Sequence, residues 1–408
     1  MKIAIFSDCY LDLTGGITTS INAEKAELEK RGHTVYIFSS AYPRSHAARE
    51  GLAKNHIFPV PSCRFFFRGL SPISRRPKVV IKWLMKNFPE LDSFDIFYIH
   101  YEAGCSIAGL KLAKKLSIPA VQVMHGREDM GETNIIPFGL RTIVADALNW
   151  RHSLCLPHLI KIRRDGYLAS SIAKAKMWTL MVNHANAADL VLTPSKHFAK
   201  KLEHYGVTKK IVALPNGIPD ELFEAEIKPR SLKSGETLRI IWHSRVSAEK
   251  RIMPFLEALR KVDGKYKLEV FGGGGDFFRA GRYARRHNLN VKFRGNASFQ
   301  KVYVTLKKSH LDVLVSYDFD TFGMTLIEAA AVGVPTFVVD PDLEETVPRG
   351  GYVLSSSPSP DDMAEALNKL IAHPEKLEKM SSVLLKHRDF AKISRRIDRL
   401  EKIFKSLL

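Results

Sequence analysis

Short apolar runs alternate along the chain with longer stretches in which apolar residues recur every three or four positions. Such alternation predicts strands and helices in turn, and it is typical of parallel sheets whose strands are joined by helices. The predicted strands of the first half are residues 2–6, 35–39, 96–100, 120–124 and 190–193. The predicted strands of the second half are residues 238–243, 267–271, 291–294, 312–316 and 336–339.

The alternation stops around Asn216-Gly217 and a loose polar stretch, and then it starts again. We therefore expect an α/β protein with two doubly wound, Rossmann-like domains. The boundary is predicted at 212/213, which gives a first domain of residues 1–212 and a second of residues 213–390. The end of the chain, 391–408, has the pattern of one more amphipathic, basic helix.

The charge is unevenly distributed between the two halves. The chain has 62 Lys and Arg against 43 Asp and Glu, a net charge of +19, and +13 of this lies in residues 1–210. Such asymmetry indicates a polyanionic partner for the first half, nucleic acid or an anionic membrane surface, although charge that merely keeps the protein soluble gives the same count. The sequence shows no nucleic-acid module and no set of stacking aromatic residues, so we expect a membrane and no nucleic acid.

The cysteines and the apolar runs bear on the compartment. Cys9, Cys63, Cys105 and Cys155 are scattered without a CxxC pair, and free thiols in a reducing cytoplasm are the simplest interpretation. The apolar start of the chain is too short for a signal peptide, and no apolar run reaches the roughly 18 residues of a membrane-spanning helix. We expect a cytoplasmic protein that is peripheral on the inner face of the plasma membrane.

Two segments of the first half, 61–86 and 148–178, depart from the alternation and mix large apolar side chains with Lys and Arg. That mixture is typical of elements that lie in a membrane interface, but it also fits ordinary amphipathic helices that pack on their own domain. We favour the interface. The predicted membrane-binding residues are Arg64, Arg68, Arg75, Arg76, Arg163 and Arg164.

The most specific chemical pattern runs from Asp320 to Pro335, after the predicted strand 312–316. Gly323 allows a close backbone approach, and the free N–H groups of the following helical turn form an anion site. Glu328 follows about one turn into the helix, where its carboxylate is available to a pair of sugar hydroxyls. The alternative is an ordinary turn with a surface Glu, but two acids, Phe-Gly and a closing Gly-x-Pro together are far more specific than a glycine-rich loop.

This motif resembles the signature of glycosyltransferase family 4, of the retaining GT-B class, in which an acid is followed by seven residues and then Glu. The resemblance implies a GT-B fold, with two domains that face a central cleft and a final helix that packs back on the first. It implies that Glu328 holds the ribose of a nucleotide sugar and that Asp320 contacts the transferred sugar. The family usually has Glu at the position of Asp320, which is shorter by one methylene.

Further segments match the same family in the same order. Arg245 and Lys250 are implied to bind the diphosphate and to neutralise the leaving group, which a metal does in other transferases. His125 is implied to face the donor sugar from a strand end, although a lone His is more often structural. The residues implied to be catalytic are His125, Arg245, Lys250 and Asp320, and those implied to bind the donor are Gly16, Gly273, Arg294, Phe322, Gly323, Met324, Thr325 and Glu328.

Asp318-Phe319-Asp320 is also an Asp-x-Asp sequence, the metal site of another large glycosyltransferase class. That interpretation needs a single nucleotide-binding domain with the motif in its first half, whereas the motif lies late in the second predicted domain. We therefore expect no metal and no other cofactor, with the nucleotide sugar as a substrate.

The opening of the chain looks most like the bacterial diacylglycerol glucosyltransferases. The resemblance implies a retaining hexosyltransferase that moves a hexose from a nucleotide sugar such as UDP-glucose to a membrane lipid such as diacylglycerol. A phosphoinositide, a polysaccharide or a soluble acceptor stays open within this class. A non-catalytic GT-B scaffold is the alternative of another class.

Overall fold

The computed structural model describes residues 1–8, 16–40, 46–63, 73–130, 136–224 and 226–408. The chain divides into two compact units, Met1–Pro215 together with Arg396–Leu408, and Asn216–Arg395, which we call the first and the second domain. This division lies close to the boundary predicted at 212/213, and the chain end joins the first domain from Arg396 rather than from 391.

The first domain is built on a parallel sheet. The strands of this domain are β1 (Lys2–Ser7), β2 (Thr34–Ser40), β3 (Ile57–Val60), β4 (Ser62–Cys63), β5 (Ile73–Ser74), β6 (Ile96–His100), β7 (Ala120–Val123), β8 (Leu190–Thr193) and β9 (Ile211–Ala213). Of these, β4 and β5 form a separate short pair. The order in the sheet is β3-β2-β1-β6-β7-β8-β9. The strands β6, β7 and β8 are buried along their whole length, which explains their nearly continuous apolar sequences.

The second domain repeats this arrangement. Its strands are β10 (Leu238–His243), β11 (Tyr266–Phe271), β12 (Val291–Gly295), β13 (Leu311–Leu314), β14 (Thr336–Val338) and β15 (Tyr352–Leu354). They pair in parallel in the order β12-β11-β10-β13-β14-β15. Successive residues of β10 point to opposite faces, so that Trp242 packs with Phe255 while Ile241 packs with Ala329.

Helices connect the strands in both domains. In the first domain they are Gly16–Lys30, His46–Lys54, Pro77–Asn87, Gly104–Leu116, Arg141–Ser153, Ile172–Asn186 and Lys196–His204. In the second they are Ile252–Leu259, Phe277–Arg286, Phe299–Leu306, Met324–Ala331, Pro360–Ala372 and Glu375–His387, and the last helix of the chain is Ile393–Lys405. Over the part of the chain that the structure describes, none of the helices combines the length and the apolar character needed to cross a bilayer.

The last helix is fixed to the first domain through a buried ion pair. Arg396 donates from Nε to Glu24 Oε1 over 2.9 Å, and from Nη1 to the carbonyl oxygen of Pro215 over 3.0 Å. Tyr98 donates to the other oxygen of Glu24 over 2.8 Å. A buried arginine needs this many acceptors because an unpaired charge in the core costs several kcal/mol.

The topology of each sheet determines where a ligand site forms. From β10 the chain continues to β11 on one side, while β13 lies on the other side, so the loops after β10 and β13 diverge at neighbouring strand ends. This is the switch point at which doubly wound sheets bind their ligands. Both chemical motifs of the second domain therefore meet at one edge of the sheet.

Candidate active site

An ion pair joins the two motifs at the switch point. Lys250 ends a short 3-10 helix after β10, and its Nζ lies 2.7 Å from each carboxylate oxygen of Asp320. Ser316, just after β13, donates its hydroxyl to the same carboxylate. The sequence assigns Lys250 and Asp320 to separate tasks, whereas the structure brings them together as one charged pair.

The helix Met324–Ala331 begins beside this pair without a capping side chain. Gly323 precedes it with φ 77°, and a Cβ there would lie 2.9 Å from Leu314 Cδ2, so the position requires glycine. The Thr325 hydroxyl in the first turn is buried and has no hydrogen-bond partner among the described residues. Free N–H groups and an unpartnered hydroxyl at a helix N-terminus provide donors for an anionic group.

The glycine-rich turn after β11 packs on the loop that carries Arg245. A Cβ on Gly272 would lie 2.2 Å from the carbonyl oxygen of Ser244, and one on Gly274 would lie 2.3 Å from that of Val246. Both glycines have positive φ, whereas Gly273, the one singled out from the sequence, does not. The close approach therefore depends on Gly272 and Gly274, and the Gly273 carbonyl accepts a 2.9 Å hydrogen bond from the Val246 N–H.

Glu328 lies on the same helix and faces a buried histidine at the end of β10. Its Oε2 is 3.4 Å from His243 Nδ1, and His243 Nε2 is 3.1 Å from Asp312 Oδ1 in β13. Burial acts to lower the pKa of His243, but Asp312 and Glu328 outweigh it and raise this pKa to about 10. Burial raises the pKa of Asp312, against the effect of the nearby His243. His243 is therefore a cation between two carboxylates.

The predicted site does not include His243 and Asp312. Asp312 stands in a buried apolar strand, and His243 lies within the segment that carries Arg245 and Lys250 but has no predicted role of its own. The available signal was an ionisable residue in each of two neighbouring buried strands. Their side chains meet because Ile241 pairs with Asp312 in register, which puts position 243 on the same face as Asp312.

Three predicted donor-binding or catalytic residues have other surroundings than expected. Phe322 is buried in a cluster with Ile218 and Ile327, so its side chain packs in the core. Arg294 donates from Nε and Nη2 to Glu269 over 3.0 and 3.1 Å. Arg245 is 60% exposed, with Glu249 3.3 Å away, and is the more exposed of the two predicted cations.

His125 and Gly16 lie in the first domain. The His125 Nε2 is 2.8 Å from His100 Nδ1, and His100 is fully buried whereas His125 is half-buried. Burial lowers the pKa of both histidines well below the usual value, so both are neutral at pH 7. Gly16 is the first residue of the helix Gly16–Lys30. The structure thus places a neutral histidine pair at the ends of β6 and β7.

The predicted membrane-binding segments expose both cations and apolar side chains. Arg75, Arg76, Arg163 and Arg164 are exposed, whereas Arg64 and Arg68 lie outside the described residues. Arg151 connects the two segments, since its Nη2 donates to the carbonyl oxygens of Ser74 and Arg75 over 2.8 and 2.9 Å. The large apolar side chains exposed along the second segment are Trp150, Leu154, Leu159, Tyr167 and Ile172.

Comparison with known proteins identifies the family. The sequence model described as Glycosyltransferase Family 4 matches residues 14–222, and the one described as Glycosyl transferases group 1 matches residues 223–383. The chain belongs to glycosyltransferase family 4. It is a glycosyltransferase with two α/β domains of the GT-B class, as the motif around Asp320 and Glu328 indicated.

Two distant relatives match most of the chain. The alpha-monoglucosyldiacylglycerol synthase of Streptococcus pneumoniae is 26% identical over 82% of this chain and 70% of its own. One component of the phosphatidylinositol N-acetylglucosaminyltransferase of Arabidopsis thaliana is 22% identical over 96% of this chain and 80% of its own. Among solved structures, Anabaena HepE in complex with UDP aligns over both full chains with a TM-score of 0.69 at 15% identity.

Proposed function

We propose that this glycosyltransferase moves a hexose from a nucleotide sugar, in the first place UDP-glucose, to a membrane lipid such as diacylglycerol, with retention of configuration and without a metal. The observation that carries the proposal is the charged pair of Lys250 and Asp320 beside the uncapped N-terminus of the helix Met324–Ala331. Lysine next to an anion site supplies positive charge where a leaving diphosphate needs it.

The reaction assigns a task to each group. The bond between the sugar C1 and the diphosphate oxygen breaks, a bond from C1 to the acceptor hydroxyl forms, and the acceptor proton passes to the leaving diphosphate. Lys250 and the exposed Arg245 stabilise the charge that develops on the diphosphate. Asp320 contacts the transferred sugar, and Glu328 accepts hydrogen bonds from the ribose. The Lys250 ammonium already occupies the Asp320 carboxylate, which supports the exclusion of the Asp-x-Asp metal site.

A lipid acceptor is supported by the first domain and by the relatives. The Streptococcus pneumoniae relative is named for a glucosyldiacylglycerol, and HepE was solved with UDP. The exposed cations and apolar side chains of the two segments fit an anionic bilayer, from which an acceptor would reach the enzyme without dissolving in water. We accordingly place the protein on the inner face of the plasma membrane.

The test is product analysis with purified full-length protein. UDP-glucose, UDP-galactose and GDP-mannose are offered in turn with vesicles that contain diacylglycerol or phosphatidylinositol, in the presence of a chelator. We expect an α-glucosyl lipid, identified by the proton coupling of its anomeric carbon, and full activity without divalent ions. A β-linked product contradicts retention, and strict dependence on a divalent ion contradicts metal independence.

The same assay separates the alternatives for the acceptor. Transfer to phosphatidylinositol alone favours the phosphoinositide acceptor, in line with the Arabidopsis relative. Donor hydrolysis without transfer to any lipid indicates an enzyme with a soluble or polysaccharide acceptor. If the protein neither binds nor hydrolyses any nucleotide sugar, the non-catalytic scaffold is the remaining interpretation.

A further inference from the structure

His243 lies between two carboxylates on the covered face of the second sheet. Asp312 is fully buried in β13, His243 ends the neighbouring β10 with a side chain that is 3% exposed, and Glu328 approaches from the helix Met324–Ala331. The three residues come from three different elements. Together they form a continuous connection from the middle of the sheet to the helix.

The geometry determines the protonation of the imidazole. Nδ1 faces Glu328 at 3.4 Å and Nε2 faces Asp312 at 3.1 Å, and two carboxylates offer acceptors only. A neutral imidazole carries one N–H and would leave one carboxylate against a bare nitrogen lone pair. The imidazolium carries an N–H on both nitrogens, so neither carboxylate meets a bare lone pair, and its charge also halves the negative charge that would otherwise lie there.

We propose that His243 is a positioning residue of the donor site, which holds the Glu328 carboxylate in place for the ribose hydroxyls by connecting it to Asp312 in the sheet. This inference rests on the proposed function, because it takes the ligand of Glu328 to be a nucleotide ribose. A glutamate side chain has three rotatable bonds, and a carboxylate that binds a diol must keep one orientation for both hydrogen bonds. His243 removes that freedom before the donor arrives, since its ring is fixed by the sheet.

The experiment compares two nucleotides that differ in the ribose hydroxyls alone. Calorimetry at pH 7.5 measures the affinity of the full chain for UDP and for 2′,3′-dideoxy-UDP. We expect the wild type to prefer UDP by roughly 10–100-fold, the usual effect of charge-assisted hydrogen bonds. In His243→Asn this preference should fall most of the way toward 1, as in Glu328→Gln, while the affinity for dideoxy-UDP stays within about twofold.

Two further variants keep the test decisive. His243→Asn leaves Asp312 without a counter-charge, so the double variant His243→Asn with Asp312→Asn is made as well. The double variant leaves no unpaired Asp312 charge in the core and should therefore fold. We expect it to lose the ribose preference too. His310→Gln is the matched control, because His310 is a second buried histidine of the same domain and its partners are Arg239 and Glu236. We expect it to keep the full preference.

The outcomes distinguish this inference from the function on which it rests. If the His243 variants keep the ribose preference while Glu328→Gln loses it, the positioning role is wrong and the donor site stands. If the wild type binds UDP without any ribose preference, the role of Glu328 is wrong and that of His243 falls with it. If it binds neither UDP nor GDP, the proposed function itself is overturned.

Discussion

At the scale of single residues, the pairing of Lys250 with Asp320 couples two tasks that the sequence treats as separate. Lys250 is held by both oxygens of the carboxylate, and its orientation therefore depends on Asp320. The ammonium must nevertheless serve the diphosphate while the carboxylate serves the sugar. This predicts different consequences when one partner or the other is removed.

Lys250→Ala should weaken UDP binding and abolish transfer, because the charge opposite the diphosphate is lost. Asp320→Ala should lower kcat by at least about 100-fold while UDP binds at least as tightly as before, since the lysine is then free to turn toward the phosphates. Lys261→Ala is the control, as Lys261 is a surface lysine paired with Asp361. Equal loss of UDP binding in both variants would show that the pair is structural and serves neither substrate directly.

At the scale of elements, the stretch 154–167 of the first domain has no regular secondary structure but a well-fixed backbone. Asn183 Oδ1 accepts from the N–H groups of Leu159 and Ile160, and the Thr179 hydroxyl accepts from that of Ile162. Leu159 is 88% exposed although its backbone is held in this way. A large apolar side chain on a fixed support, beside exposed arginines, is typical of a membrane-inserted residue.

Vesicle flotation tests this element. Binding should rise with the fraction of anionic lipid and fall with salt without vanishing, because each cation near the surface contributes about 1 kcal/mol and inserted apolar groups are insensitive to salt. Arg163→Glu with Arg164→Glu should release the protein at physiological salt, and Leu159→Ser should reduce the salt-resistant part. UDP binding should stay unchanged in both variants.

The matched control reverses two arginines in the other domain. Arg285→Glu with Arg286→Glu changes the charge equally, on a helix that also carries the exposed Phe278. This control variant should change vesicle binding by no more than about twofold, apart from the small effect of its altered net charge. If both pairs reduce binding equally, attraction depends on overall charge and not on the segment 154–167.

At the scale of the whole molecule, the pKa values of the buried histidines shift in different directions in the two domains. In the first domain burial lowers the pKa of His152 to about 2 and of His184 to about 3. A lowered pKa gives stability that is present above the unfolded value of about 6.5 and is lost as the pH falls toward the folded value. In the second domain His243 has a raised pKa of about 10, so its contribution is present below about pH 6.5 and is lost as the pH rises through 10.

We therefore expect acid to destabilise the first domain more than the second. When the pH is lowered from 7.5 to 5, the Tm of the first domain should fall by several °C more than that of the second. In the second domain burial lowers the pKa of His310 to about 4, so this domain loses some stability in acid as well. Hydrogen exchange followed by mass spectrometry at both pH values assigns the loss to each domain. Equal loss in the two domains would contradict the prediction.

Part of this architecture follows from the sequence alone. The apolar pattern predicts the central strands β6, β8, β10 and β11 nearly to the residue, because buried apolar side chains recur through each of them. It does not predict β3, β9 and β15. These strands lie at the edges of their sheets and are mostly half-buried, so their sequences carry a weaker pattern.

The family and the motif around Asp320 and Glu328 can also be recognised without a structure, since they depend on residue types at fixed spacing along one loop and helix. Which side chains meet is a property of the folded molecule. The pairing of Lys250 with Asp320 and the contact of His243 with Asp312 and Glu328 join residues about 70 to 85 positions apart. Strand order and register set such contacts, and a local sequence pattern carries no information about either.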